Sequence, residues 1–171
     1  MAARAHRHRD WLMILIAFWH GLRATEVCGL TADMVRDGHL TMARLKGSLR
    51  TIQPLVEHAD ELLDERKALI EYAAQSTPNQ PIFGIGRQQF WKLFQRYAEQ
   101  AGIPAHKRHP HVLKHTIAMQ SIHSAGIENT RQYLGHKSLS STGAYLKVSD
   151  EDASRAVISA VRGIPRFEKI D

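Results

Sequence analysis

Pro110-His111-Val112-Leu113-Lys114-His115-Thr116 is the stretch on which the reading of this chain turns. Proline suits the first turn of a helix, where its missing N–H leaves no bond unmade. The stretch therefore predicts a helix from Pro110 to about Ala125, ended by Gly126. His111 and His115, four apart, then share one face. Helices also surround it. Gly86–Ala101 gathers Phe90, Leu93, Phe94 and Tyr97 on one face and stops at Gly102; Ile103 to Pro110 follows as a basic loop. Apolar residues at 62, 63, 69, 70 and 73 predict a helix over Glu57–Gln75, and Pro78, Asn79 and Pro81 mark a loop over Ser76–Gly84. Nearer the start, Met1–Arg9 reads as a loose basic tail. Asp10 is placed to cap a helix to about His20, Gly21 ends it, and a short helix covers Ala24–Leu30. Downstream, short helices are expected at Thr130–Leu134, Leu139–Leu146 and Glu151–Val161. Only His39–Val56 departs from this pattern. Leu40, Met42 and Leu45 precede Lys46-Gly47, and Leu49, Ile52 and Leu55 follow, roughly alternating, which predicts a β-hairpin with Lys46 at or beside its turn. The fold class expected is one mostly α domain with a small antiparallel β-hairpin.

Bulk properties narrow the function. The 171 residues suffice for one domain with a real core, and 43% apolar content argues against disorder. A net charge of +6 points to an anionic partner, nucleic acid before anionic membrane. The lone Cys28 cannot form an internal disulfide; it reads as a small buried hydrophobe in a chain suited to a reducing cytoplasm. The longest apolar run, Trp11–Trp19, has nine residues, too few to cross a bilayer, and His20 and Arg23 stand where a signal peptide would need small residues.

Four segments carry side chains suited to chemistry on a phosphodiester: Gly21-Leu22-Arg23-Ala24-Thr25-Glu26, Lys46-Gly47, the His111–His115 stretch, and Leu134-Gly135-His136 with Tyr145 nine residues beyond. Such a reaction needs cations for the nonbridging oxygens, a nucleophile, and a proton donor for the leaving alkoxide. Arginine suits the first task because its planar fork can bond two phosphate oxygens. The spacing of His111 and His115 also suits a metal, but no glutamate follows the first histidine and no cysteine is near, so no metal site or cofactor is expected.

In this order the segments resemble the boxes of the tyrosine recombinases, or phage integrases, over about Asp10 to Val161. The resemblance implies roles. Tyr145 is the nucleophile that forms a 3′-phosphotyrosyl bond. Arg23 clamps the nonbridging oxygens, Lys46 protonates the leaving 5′ oxygen, His111 assists proton transfer, and His136 hydrogen-bonds the phosphate. Glu26 supports the basic cluster, with His115 as a second supporting or packing residue. The implied partner is double-stranded DNA, without metal or ATP, at a cytoplasmic, nucleoid-associated location. The implied assembly is a homo-tetramer on DNA coupled through the C-terminal helix, Glu151–Val161. Residues 10–171 then form the catalytic domain, with no N-terminal core-binding domain in this chain.

Lys114 stands where the family pattern has its second arginine. Lysine keeps the charge but loses the bidentate fork, so the resemblance implies slowed cleavage. A substitution that traps an intermediate, and a noncatalytic DNA-binding regulator on the same fold, are the other readings of Lys114. A type IB topoisomerase shares the phosphotyrosine chemistry, and a helical metal-binding protein is a remote rival.

Overall fold

The computed structural model describes residues 2–43 and 49–138, with side chains from Arg7 onward. Among the described residues, six α-helices run in order: α1 (Ala2–Trp19), α2 (Ala24–Cys28), α3 (Arg66–Ala74), α4 (Arg87–Gln100), α5 (His111–Ala125) and α6 (Ile127–Tyr133). Between α2 and α3 lie three short strands, β1 (Val35–Arg36), β2 (His39–Met42) and β3 (Thr51–Pro54). They form one antiparallel sheet in the order β1-β2-β3. The mostly helical class with a small antiparallel sheet is therefore the fold observed. Lys46, Tyr145 and the helices expected at Leu139–Leu146 and Glu151–Val161 lie outside the described residues.

The main core is where α1 meets the sheet and α4. Leu12, Met13 and Ile16 pack with Leu22, Leu40, Leu69 and Phe90, all fully or almost fully buried. Burying a side chain such as Phe90 contributes roughly 1.5–3 kcal/mol. A second cluster, Ile117 and Ala118 of α5 with Leu134, packs against Phe18 and Trp19 at the end of α1. It joins the chain's early residues to its late ones.

Four expectations need correction. The chain before Asp10 is helical, because α1 begins at Ala2. Asp10 is an interior residue of that helix, 2% exposed, and not its cap. Its carboxylate accepts bonds from Arg9 at 2.8 Å and from the Tyr97 hydroxyl at 3.1 Å, so it ties α1 to α4.

The helix expected over Glu57–Gln75 begins only at Arg66. The indole N–H groups of Trp11 and Trp19 donate to the carbonyls of Leu62 and Leu63 at 2.9 and 3.0 Å, while Leu62 and Leu63 themselves face outward. These tertiary bonds hold the 57–65 segment in loop form against its apolar periodicity.

The hairpin pairs as expected, with Thr41 opposite Ile52 and Met42 opposite Thr51, but β3 presents the other face. Thr51 and Gln53 point inward and Ile52 is 65% exposed. Finally, β1 adds a third strand through Asp37-Gly38, whose φ angles of 49° and 70° suit a tight hairpin turn.

Candidate active site

Arg23 is the residue just before α2, in extended conformation, and Glu26 lies in that helix's first turn. Glu26 is 3% exposed, and its carboxylate accepts the Arg23 backbone N–H at 2.7 Å and the Arg23 guanidinium at 3.1 Å. The first contact closes half of a capping box; the second fixes the direction of the guanidinium, which stays partly exposed. Glu26 thus fixes the direction of the Arg23 side chain.

Two residues before Arg23, Gly21 has φ +57°, the left-handed region that favours glycine. A side chain there would force Leu134 to shift: a β-carbon on Gly21 would run into Cδ2 of Leu134 and come within 3.8 Å of Cγ of Lys114. The segments around Arg23, Lys114 and His136 therefore meet at one glycine. Leu134-Gly135-His136 is held on both sides. Leu49 N–H donates to the Gly135 carbonyl at 2.9 Å, His136 N–H donates to Arg131 O at 3.0 Å, and the Arg131 guanidinium donates to His136 O at 2.9 Å. His136 is buried, and Lys114 is completely enclosed.

His111 opens α5 and faces solvent, with the His115 ring edge-on at 4.5 Å between centroids. Burial, His115, Lys114, His109 and Arg23 together hold His111 below the ordinary imidazole pKa. His115 is lowered in the same way, by burial, His109 and Lys114. Both rings therefore stay uncharged at neutral pH, the form that can accept a proton. Among the described residues, no group of three or more His, Cys, Asp or Glu side chains could hold a metal ion.

Arg23 and His111 line one open cavity of about 610 Å³ together with His109 and, from α4, Arg87, Gln88, Trp91 and Lys92. The α4 residues were missed from the sequence, where only that helix's apolar face was used. The signal was there: 87 and 91, and 88 and 92, each lie four apart and so share its outer face. Away from this cavity, burial pushes the Cys28 thiol up to about 11, which leaves it the inert core residue expected. Among the described residues, no helix is long and apolar enough to cross a membrane.

The family model for the phage integrase family matches residues 1–152. This chain belongs to the phage integrase family. Among curated integrase-family relatives it is 34% identical to tyrosine recombinase XerD of Haemophilus ducreyi, over 82% of this chain and 50% of that protein. It is 30% identical to tyrosine recombinase XerA of Thermococcus kodakarensis, over 88% of this chain and 55% of that protein. The chain thus spans about half the length of the curated relatives it matches. Among solved structures, XerA recombinase superposes with a TM-score of 0.68 at 25% identity, covering 97% of this chain and 62% of that one. The fold also matches lambda integrase bound to a core site, with a TM-score of 0.62 at 18% identity, covering 94% of this chain and 56% of that one.

Proposed function

We propose that this chain is the catalytic part of a site-specific DNA recombinase that cleaves and rejoins strands through a covalent 3′-phosphotyrosyl bond to Tyr145. The observation that carries the reading is the meeting of three sequence-distant boxes at Gly21, beside an open cavity lined by Arg23 and His111. Arg23, preset by Glu26, neutralises the nonbridging oxygens. Neutral His111 takes part in proton transfer at the phosphate, and His136 donates to it. Lys114 adds charge from below with a single-point donor in place of a fork, which slows cleavage. Lys46, on the hairpin between β2 and β3, protonates the leaving 5′ oxygen. Arg87, Trp91 and Lys92 extend the basic surface along the duplex, where cations neutralise backbone phosphates. Action on DNA implies a cytoplasmic, nucleoid-associated protein, and strand exchange implies a homo-tetramer coupled through the C-terminal residues.

A nicked suicide duplex tests this. The unmodified chain should form a covalent protein–DNA adduct that Tyr145→Phe abolishes. Absence of the adduct with DNA binding intact would favour the second reading, a noncatalytic DNA-binding regulator, to which the lysine at 114 lends support. Relaxation of supercoiled DNA at no particular site would favour a type IB topoisomerase.

A further inference from the structure

Beneath the candidate site lies a buried polar chain that none of the proposed chemical roles uses. His20, Gln53 and Glu65 are each 0–1% exposed and come from three elements: the end of α1, strand β3, and the residue before α3. Gln53 Nε2 donates to the carbonyl of Tyr133 at 2.8 Å. Gln53 Oε1 faces His20 Nδ1 at 3.1 Å, and His20 Nε2 contacts Glu65 Oε1 at 2.6 Å. Glu65 Oε1 also accepts the Val56 N–H at 3.0 Å.

The directions of these bonds follow from their chemistry. Tyr133 O can only accept, so the amide nitrogen of Gln53 must point to it and the amide oxygen must point to His20. That oxygen can only accept, so Nδ1 of His20 carries a proton. The His20–Glu65 contact then holds one proton, whichever atom carries it, because an imidazole lone pair facing a carboxylate would be repulsive. The chain therefore runs one way, and Gln53 cannot turn over without losing its bond to the Tyr133 carbonyl.

Its far end is informative. Tyr133 is the last residue of α6, where carbonyls draw on hydrogen-bond donors from outside the helix's own ladder. Gln53 supplies one from the sheet. Three residues further on is His136, and Leu49, just before β3, binds Gly135 O. An apolar side chain at 53 could fill the same space but would remove the buried hydrogen bonds to His20 and to the Tyr133 carbonyl.

Resting on the strand-transfer reading above, we propose that Gln53 is a positioning residue: backed by the His20–Glu65 pair, it sets where the Leu134-Gly135-His136 segment stands relative to strand β3. It touches no reacting atom. It couples the placement of His136, the proposed phosphate-binding histidine, to the β-sheet.

Gln53→Met, which keeps the length and loses the amide, tests this in the full chain. Amide hydrogen exchange should accelerate at Gly135 and His136 by about tenfold, the effect of losing one buried hydrogen bond, and stay unchanged at Leu12 and Met13 in the core. The maximal rate of single-turnover cleavage should fall while half-saturating DNA stays the same. A triple variant, His20→Phe with Gln53→Met and Glu65→Gln, removes the polar groups at 20 and 53 together, keeps an oxygen at 65 to accept the Val56 N–H, and guards against misfolding of the single variant. It should recover thermal stability without recovering slow exchange at Gly135 and His136. Uniform acceleration across the core, or unchanged exchange at Gly135 and His136 in both variants, would overturn the proposal. If the unmodified chain forms no adduct, the recombinase reading fails, and the exchange measurement still decides what Gln53 does.

Discussion

Cδ2 of Leu134 occupies the space that a β-carbon on Gly21 would need. The left-handed backbone at Gly21 and this close approach make glycine the one residue that lets the Arg23 segment lie against the His136 segment.

Gly21→Ala should therefore act on both stability and chemistry. A left-handed alanine costs about 1–2 kcal/mol, and a methyl forced into a filled space costs about 1–3 kcal/mol more. Urea unfolding should show a loss of that order, and adduct formation should fall further than DNA binding does. Unchanged stability would mean that Leu134 can move away freely.

Lys114→Arg should raise the rate of single-turnover cleavage. One well-placed oxyanion donor is worth roughly 10²–10³ in rate, and a charge-preserving swap recovers part of it. Lys114 is wholly enclosed, so the larger guanidinium also has to fit. Measuring the melting temperature of the same variant separates a packing failure from a failure of the bidentate argument.

The lowered pKa of His111 and His115 makes stability depend on pH in one direction. Each is depressed from 6.5 in the folded state. The unfolded chain binds protons first on acidification, so the contribution is present above 6.5 and is lost as pH falls through the lower folded values. Urea midpoints should decline across the acid part of the range from about pH 8 to 5. His111→Gln should flatten that decline; an identical profile would place the responsible groups elsewhere.

Arg87→Gln and Lys92→Gln should weaken binding to any duplex in similar proportion. Each neutralised phosphate contributes about 0.9 to the slope of log K against log salt. Fluorescence anisotropy at several salt concentrations should show the slope shrinking by up to about that amount per substitution. A constant slope would remove the α4 face from the DNA-contacting surface.

The parts of this molecule legible in its sequence are those governed by local pattern. The Phe90, Leu93 and Phe94 stripe marks α4 because its neighbours in sequence are its neighbours on the helix face. Arg23 with Glu26 is legible for the same reason, being an interaction within one turn. What failed depends on partners far along the chain. Asp10 looks like a cap until Tyr97 claims its carboxylate, and Leu62 and Leu63 look helical until Trp11 and Trp19 claim their carbonyls. The turn at Asp37-Gly38 was readable and was passed over because β1 is only two residues long. The array of His20, Gln53 and Glu65 has no local signature at all. Its one trace is a glutamine at an inward position of β3, where an apolar residue would be the ordinary choice.

The hydroxyl of Tyr133 donates to the carbonyl of Trp19 at 2.9 Å, across 114 positions of sequence. Bonds that close so long a loop form late, because the entropy of bringing the ends together must be met before any contact rewards it. A chain emerging from the ribosome exposes Arg23 long before α6 has been made. The tie between Tyr133 and the end of α1 can form only when synthesis has passed α6, and an unfinished chain carries Arg23 without that part of the frame behind it.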